Sequence, residues 1–520
     1  MTNSGQIVRV GASDTGSAGC PRALAHKARR RAEIRRSTWT DFTLGPLMAA
    51  ADLSEFSGRD DAAVIDELAR TRGTFGTDRP PAHPGLVAWS IEAFRNYRAA
   101  WQAHQDAMHT PCPIPVRFPW TISHRRDPVD ERGVQRYEQT CWGRRYRSED
   151  DSIREMWLMG LTAPAERPEI VTTAAANVAT FGGGTAPDRV RVVLFGARSP
   201  VAMPVLEWTS AQVRQQAQDL IAPRLLEIVD GTARRAGRNC AECPDTPDCA
   251  ALPSAELLPK VPPVPGPRRT LSVTDLRYHQ GCPARYHLQR QLKLRDTALV
   301  EGQPIQIGRA VDATLRIRHT GHPSRCTPGD PAGEEVAALP EDSRRTAVEM
   351  LAQHAALCPF PDVEEVRDEQ DRFVVAHDKS LDVVFGGTPD LLYRRAGGWV
   401  WRETKTSRRR LRRDQPLLRQ VPQLALAILI LSAGAPERSS GGSRVELEHL
   451  RSDGCALEEL DPASPALVAE AREVVGELVR PLLGDTMYAP NPGDGCAGCE
   501  VRRWCAPGVA YLTTGGRAKP

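Results

Sequence analysis

The stretch RDEQDRFVVAHDKSLDVVFGGTPDLLYRRAGGWVWRETKT, residues 367–406, decides the fold. Runs rich in Val, Phe, Leu, Tyr and Trp alternate with turn-forming sequences at His377-Asp378-Lys379 and Ala396-Gly397-Gly398, the pattern of short strands joined by tight turns. The expectation is a three-stranded antiparallel meander in which Asp390 ends the middle strand and Glu403 and Lys405 lie two apart on the next. Side chains two apart on a strand point to the same face. Two carboxylates converging on one face can hold Mg²⁺ or Mn²⁺, which prefer oxygen ligands and keep several waters. Such an ion activates water for attack on phosphorus, and a neighbouring ammonium can orient that water.

The lysine count adds an independent point. Only Lys27, Lys260, Lys293, Lys379, Lys405 and Lys519 are lysines among 68 basic residues. Arginine is the default base of this chain, so lysine at 405 suggests a position that needs a compact ammonium.

Outward from the meander, Leu417 to Leu431 is long and apolar enough for a buried helix, Arg444 to Leu450 has strand character, and a helix is expected from about Ser464 to Leu483. Upstream, Ser272-Val273-Thr274-Asp275 can cap a helix that runs to Cys282. A second helix is expected beyond Pro283, another from about Gly308 and another from Asp342 to about Leu357. The sum is an α/β core with a mixed sheet.

Two copies of one cysteine arrangement lie along the chain, and the second brackets the meander. Cys20 is followed by Cys240-x2-Cys243-x5-Cys249, and Cys282 by Cys496-x2-Cys499-x5-Cys505, at separations of 220 and 214 residues from the lone cysteine to the triplet. In both copies a proline follows the lone cysteine, Pro21 and Pro283. A repeated long-range spacing of this kind indicates two homologous domains. The Pro-rich segment 252–269 is expected to link a first domain, residues 1–251, to a second, residues 270–510, with a tail at 511–520.

Composition bounds the class. The chain has 520 residues, 41% hydrophobic and 26% charged, with a net charge of +3, which fits a multi-domain globular protein. The longest apolar run, Leu424 to Ala435, is too short to span a bilayer, and the amino terminus carries no apolar signal segment. A cytoplasmic protein with no membrane partner is expected. Arginines cluster at Arg29-Arg30-Arg31, Arg35-Arg36, Arg408-Arg409-Arg410 and Arg412-Arg413, and such clusters can neutralise phosphates. Thirteen cysteines without an export signal argue for metal or cluster ligation over disulfides. Cys112, Cys141, Cys326, Cys358 and Cys455 fit no spacing and read as ordinary free thiols. A four-cysteine set accepts zinc or iron–sulfur.

The order of these motifs resembles the PD-(D/E)xK nuclease superfamily, and more closely its RecB-type, AddB-like branch with an iron–sulfur staple. The resemblance covers about Leu271 to Gly508. It implies a fold of two tandem restriction-endonuclease-like domains, each a mixed central sheet flanked by helices and closed by a four-cysteine cluster. It implies that Cys282, Cys496, Cys499 and Cys505 bind a 4Fe–4S cluster, and the first set, Cys20, Cys240, Cys243 and Cys249, invites the same assignment. It further implies that Asp390 and Glu403 hold Mg²⁺ or Mn²⁺, that Lys405 is catalytic, and that Gln423, with Gln420 as the alternative, positions DNA or the site. Where the family often has a metal-binding histidine in a G-x-x-x-H helix motif, this chain has Gly308 and then Asp312, an acid that can also ligate Mg²⁺. The tyrosine often found after the glutamine is replaced by Ala427.

The first half lacks these groups. Matching Tyr146 to Tyr393 without gaps sets Gly143 opposite Asp390, Met156 opposite Glu403 and Leu158 opposite Lys405, so an inactive nuclease-like copy is expected there. The function implied is a metal-dependent DNA nuclease acting in repair, recombination or defence. No Walker A sequence is present, so an unwinding helicase or ATPase would be a separate protein. The alternative is a non-catalytic DNA-binding or scaffolding subunit of a helicase–nuclease-like complex.

Overall fold

The structure, a computed structural model, describes residues 6–30, 42–75, 80–126, 130–131, 133–296, 299, 301–320, 324–367, 372–407, 410–437 and 441–514. Arg31, Arg35, Arg36, Arg408, Arg409 and Lys519 therefore lie outside the described residues. The chain divides into two compact units, one of Met1–Ala233, His287–Asp296 and Pro492–Pro520, the other of Arg234–Tyr286 and Thr297–Asn491. Cys20 falls in the first unit and Cys240, Cys243 and Cys249 in the second. Cys282 falls in the second and Cys496, Cys499 and Cys505 in the first.

In the first unit, strand β1 (Gln6–Gly11) pairs with β4 (Val134–Thr140), which also pairs with β3 (Thr121–Arg125). A five-stranded sheet runs β2 (Ile114–Pro115), β5 (Arg144–Arg147), β6 (Ile153–Gly160), β7 (Arg189–Gly196), β8 (Ala202–Thr209) in that order. Only the β6–β7 pair is parallel, and helix Glu169–Phe181 connects those two strands. A parallel neighbour needs such a crossover, and its strands are buried on both faces, which is why β6 and β7 are almost wholly buried, Arg154, Glu155 and Arg191 included.

The second unit holds a sheet of the same order and orientation. Strands β11 (Glu365–Val366), β14 (Leu391–Arg395), β15 (Gly398–Thr406), β16 (Arg444–Arg451) and β17 (Gly454–Leu460) are neighbours in that sequence. Again one pair, β15–β16, is parallel, bridged by helix Pro422–Ser432. Every residue from Leu424 to Leu431 in that helix is buried, as an all-round apolar helix must be. A separate sheet of four strands orders β10 (Arg269–Leu271), β13 (Val383–Gly387), β12 (Val374–Asp378) and β9 (Ser254–Ala255).

The decisive stretch thus forms four strands in two sheets, not one meander of three. The break falls at Gly387-Thr388-Pro389, where proline has no N–H to give a ladder. Gly386 and Gly387 also pack where a Cβ would meet Phe373 at 2.5 Å and Trp401 at 2.9 Å. Asp390 accordingly sits just before β14 and does not end a strand.

The expected helices appear with their caps. Ser272 caps Val273–Gly281, its hydroxyl accepting from Asp275 N–H while Asp275 accepts from Ser272 N–H at 2.8 Å, and Ser464 caps Pro465–Leu483. Val421 and Pro422 split the expected 417–431 helix into Leu417–Gln420 and Pro422–Ser432. The Pro-rich segment is packed along part of its length. Ser254 and Ala255 pair with β12, Leu257, Leu258 and Val261 are buried in the core that includes Leu424 and Trp401, and Leu258 N–H donates to Asp378 at 2.8 Å.

Candidate active site

Strand alternation gives β15 two working faces. Trp401, Glu403 and Lys405 point one way, and Arg402, Thr404 and Thr406 the other. Trp401 packs in the core with Leu424 and Ala425, which puts the first turn of helix Pro422–Ser432, where Gln423 lies, on the Glu403 side. On that face Lys405 Nζ donates to Glu403 Oε2 at 2.9 Å, and Trp401 Nε1 donates to Glu403 Oε1 at 2.9 Å. Both oxygens of the buried Glu403 carboxylate are thereby fixed in direction. Asp390 reaches the same strand through its Oδ2, which accepts from Thr404 N–H at 2.7 Å, and its carbonyl accepts from Arg372 at 2.7 Å.

Asp312 enters from helix Gln303–Arg318. Gly308, one turn earlier, abuts the strand end so closely that a Cβ there would lie 2.8 Å from Thr406 Oγ1. The glycine therefore lets the helix approach, and Asp312 comes near enough for Glu403, Lys405 and Arg372 to act on its carboxyl. Ala at a helix glycine normally stabilises by up to about 1 kcal/mol. Gly308→Ala is expected to do the reverse, costing about 1–3 kcal/mol by overpacking. Thr406→Ala should recover most of that loss in denaturant unfolding; a Gly308→Ala variant as stable as wild type would show that the close approach is not required.

The electrostatics show a surplus of negative charge. Burial, and then the charge of Glu403, push Asp390 up to about 7 against the opposing pull of Lys405 and the Thr404 N–H, with Asp312 adding to the rise. Burial also raises Asp312, with Glu403 adding and Arg316, Arg372 and Lys405 opposing. For Lys405, burial works to lower the pKa, but Glu403 and Asp390 outweigh it and keep the ammonium charged. Asp390 and Asp312, raised first by burial and then by neighbouring carboxylates, are acids whose charge a divalent cation could compensate.

The two glutamines are separated by their partners. Gln420 spends its amide on the loop before it, donating to the carbonyls of Arg412 and Gln415 at 2.8 Å each and accepting from Arg412 N–H at 2.8 Å. Gln423 Oε1 is buried without a hydrogen-bond partner, so it is the one left with capacity to bond something brought to the site. Arg277, which acts electrostatically on Lys405, lines a cleft with Gln280, Arg419 and Pro422. Of the described arginines after Lys405, Arg412 is paired with Asp414 at 2.7 Å.

The first-unit sheet has no such group. Gly143 has φ +157, and a Cβ there would sit 2.1 Å from the Trp157 carbonyl oxygen, so no acid fits where Asp390 stands in the second. Tyr146 pairs with Glu155, whereas Tyr393 pairs with Val400. The first hairpin is thus two residues longer, and the ungapped register is corrected by that amount: Leu158 stands opposite Glu403 and Gly160 opposite Lys405. Its buried charges are paired instead, Arg144 with Glu55 and the exposed Asp52 and Glu155 with Arg191, with His104 Nε2 3.1 Å from Glu155.

The two cysteine triplets have one local geometry. Each starts in a short 3-10 turn, Arg238–Glu242 and Asp494–Gly498, and passes through a second, Thr246–Asp248 and Arg502–Trp504. A backbone N–H is directed at the first sulfur of each, Gly237 to Cys240 Sγ at 3.2 Å and Gly493 to Cys496 Sγ at 3.5 Å. Asn491 N–H points likewise at Cys282 Sγ at 3.3 Å. The sulfurs of Cys496 and Cys505 both lie 3.4 Å from where a Cβ on Gly508 would be, so glycine leaves that side of the pair open.

A fourth arrangement was missed from the sequence. Cys326 and Cys358, read as ordinary thiols, are gathered with His319 and His354, all four ligand atoms lying within 4.8 Å of one another. Their spacing, His-x6-Cys and then His-x3-Cys, spans two helix ends and a loop, and no compact motif announces it. The four are a set that could hold a metal ion.

Among known proteins, residues 270–506 match the family model of the PD-(D/E)XK nuclease superfamily. A solved structure titled "Crystal structure of SSO0001" is 17% identical over 47% of this chain and 88% of that chain, with a TM-score of 0.22, a likeness too low to bear on fold or function. No curated protein matches the chain. Among the described residues no helix is long and apolar enough to cross a membrane.

Proposed function

We propose that the PD-(D/E)XK nuclease domain at 270–506 is a metal-dependent deoxyribonuclease of the RecB type. The observation that carries this is the geometry of one strand: Lys405 Nζ held on Glu403 Oε2 at 2.9 Å, with Asp390 tied to the intervening Thr404 N–H at 2.7 Å. Asp312, Asp390 and Glu403 would hold Mg²⁺ or Mn²⁺. A cation bound there supplies a more acidic water and compensation of charge on the phosphate. The chain's own residues do the rest. Glu403 orients the Lys405 ammonium, that ammonium donates toward the attacking water or the phosphate oxygens, and Gln423 Oε1, buried and unpaired, accepts from substrate or a bound water. Arg277 borders the neighbouring cleft and could meet a DNA phosphate; Arg419, also on that cleft, is paired with Glu473 and Glu477 at 2.6 and 2.7 Å.

Residues 270–510 form the nuclease domain of this reading, and the first copy, residues 1–251, is a non-catalytic nuclease-like partner. The shared strand order and parallel pair of the two five-stranded sheets support the tandem reading, and Gly143 in place of an acid supports inactivity. Cysteine spacing and the amides aimed at Cys240, Cys282 and Cys496 support a 4Fe–4S cluster on the second set and a second one on the first. The setting is DNA repair, recombination or defence in the cytoplasm, with any helicase or ATPase a separate subunit. Asp312 in the histidine position and Ala427 in the tyrosine position favour the competing reading, a DNA-binding or scaffolding subunit without catalysis.

The test is cleavage of labelled single- and double-stranded DNA by anaerobically purified full-length protein with Mg²⁺ or Mn²⁺, beside Lys405→Ala. Cation-dependent cleavage lost in the variant is the expected result. DNA binding without cleavage by cluster-loaded wild type would establish the scaffold reading instead.

A further inference from the structure

We infer that His319, Cys326, His354 and Cys358 form a structural zinc site on the face of the β15–β16 sheet opposite Glu403 and Lys405. The geometry matches tetrahedral zinc. With Zn–N near 2.0–2.1 Å and Zn–S near 2.3 Å, ligand atoms at tetrahedral angles are separated by about 3.3 Å for N to N and about 3.6 Å for N to S. His319 Nε2 lies 3.3 Å from His354 Nε2, 3.5 Å from Cys326 Sγ and 4.0 Å from Cys358 Sγ.

Hydrogen bonding alone leaves this cluster unsatisfied. His354 Nδ1 is 2.6 Å from Glu448 Oε1; donating there, it leaves a lone pair on Nε2 pointing into the cluster. His319 Nε2 has a single N–H or lone pair, yet three groups, His354 Nε2 and the two sulfurs, lie within 4.0 Å of it, more than one hydrogen bond can serve. A cation bound by two imidazoles and two thiolates removes the conflict and is charge-neutral. His319 and Cys326 are 5% and 4% exposed and His354 1%, so water cannot substitute freely. Cys326 N–H is also directed at Cys358 Sγ at 3.3 Å, as suits a thiolate.

The surroundings are those of a metal centre. A carboxylate behind a ligating histidine fixes its tautomer and ring orientation, and Glu448 does this from β16 with almost no exposure. Its other oxygen accepts from Thr404 Oγ1 at 3.1 Å, and Thr404 lies between Glu403 and Lys405. His319 immediately follows helix Gln303–Arg318, seven residues or about 10 Å along the helix from Asp312. His354 ends helix Glu341–His354. Four protein ligands leave no open position, so the role is structural: the ion clips two helix ends and the Cys326 loop behind the strand that carries the candidate active site. This assignment stands whether or not the domain cleaves DNA.

The experiment is metal analysis of anaerobically purified full-length protein, with zinc and iron counted separately. One zinc per chain is expected to be lost in Cys326→Ser/Cys358→Ser while iron is unchanged. Glu448→Gln keeps all four ligands and should weaken zinc about 10–100-fold in chelator competition, giving a reading if the cysteine variant does not fold. Wild type reloaded with Co²⁺ should show the absorption of a tetrahedral thiolate site, lost in the same variants. Zinc content equal in wild type and the cysteine variant, no cobalt spectrum in wild type, or a Cys326–Cys358 disulfide in freshly isolated protein would each overturn the assignment.

Discussion

Glu403→Gln is expected to reduce DNA cleavage by about 10²–10⁴-fold, the range for loss of a positioned proton donor, here the Lys405 ammonium that Glu403 orients, without loss of stability. The substitution conserves volume, and the amide oxygen can still accept from Trp401 Nε1, now at 2.9 Å from Oε1. It then turns an NH₂ toward Lys405 Nζ, so the ammonium loses the partner that holds it at 2.9 Å. Removing the Glu403 charge also relieves Asp390. Its carboxyl, pushed up to about 7 by burial and then by Glu403, should titrate lower in the variant by NMR. The sign for stability follows: an acid with a raised folded pKa makes the metal-free protein lose stability as pH rises from about 4 to about 7. That loss should be smaller in Glu403→Gln. Cleavage within tenfold of wild type would remove Glu403 from the mechanism, and an unshifted Asp390 would remove the coupling between the acids.

The second large effect lies on the other face of the strand. Arg402 is 1% exposed and donates to Glu446 at 2.6 Å and to the Leu357 carbonyl at 2.8 Å, with Glu448 at 4.0 Å. Glu446 and Glu448 are both fully buried. Arg402→Met strips the main countercharge from two buried carboxylates and should cost about 3–5 kcal/mol, the usual consequence of breaking a buried pair on one side. Arg402→Met/Glu446→Leu replaces the pair by apolar groups and should recover a substantial part. A coupling energy above about 1 kcal/mol in the double-mutant cycle is expected for groups in one network. Additive effects, or a loss under about 1 kcal/mol for the single variant, would mean that Tyr393, which donates to Glu446 at 2.8 Å, and Arg395, at 3.1 Å, suffice.

These two variants probe opposite faces of one strand, and the faces differ in how far the sequence discloses them. Strand period places Glu403 and Lys405 on a common face, and the ion pair between them needs no information beyond that spacing. Asp390 was legible as part of the same group because thirteen residues and one tight turn return the chain to the strand. The caps at Ser272 and Ser464 and the apolar run 424–431 likewise reflect contacts made within a few residues of one another, which local pattern encodes.

What the tertiary structure decided are contacts between residues distant in sequence. The meander splits into two sheets at Gly387-Thr388-Pro389, where Gly386 and Gly387 also pack against Phe373 and Trp401, contacts that alternation does not show. The extra residues of the first hairpin change the register opposite Glu403. Gln423 is distinguished from Gln420 only by which amide the 412–415 loop consumes. His319, Cys326, His354 and Cys358 converge because two helices end at one place on the sheet. By itself the sequence determined that Glu403 and Lys405 share one strand face, with Asp390 a short turn away, and that the cysteine spacing repeats, since short-range periodicity and a duplicated pattern are written along the chain. The convergence of four ligands drawn from 40 residues was decided only by packing, because side chains become neighbours there through helix-on-sheet burial and not through their spacing.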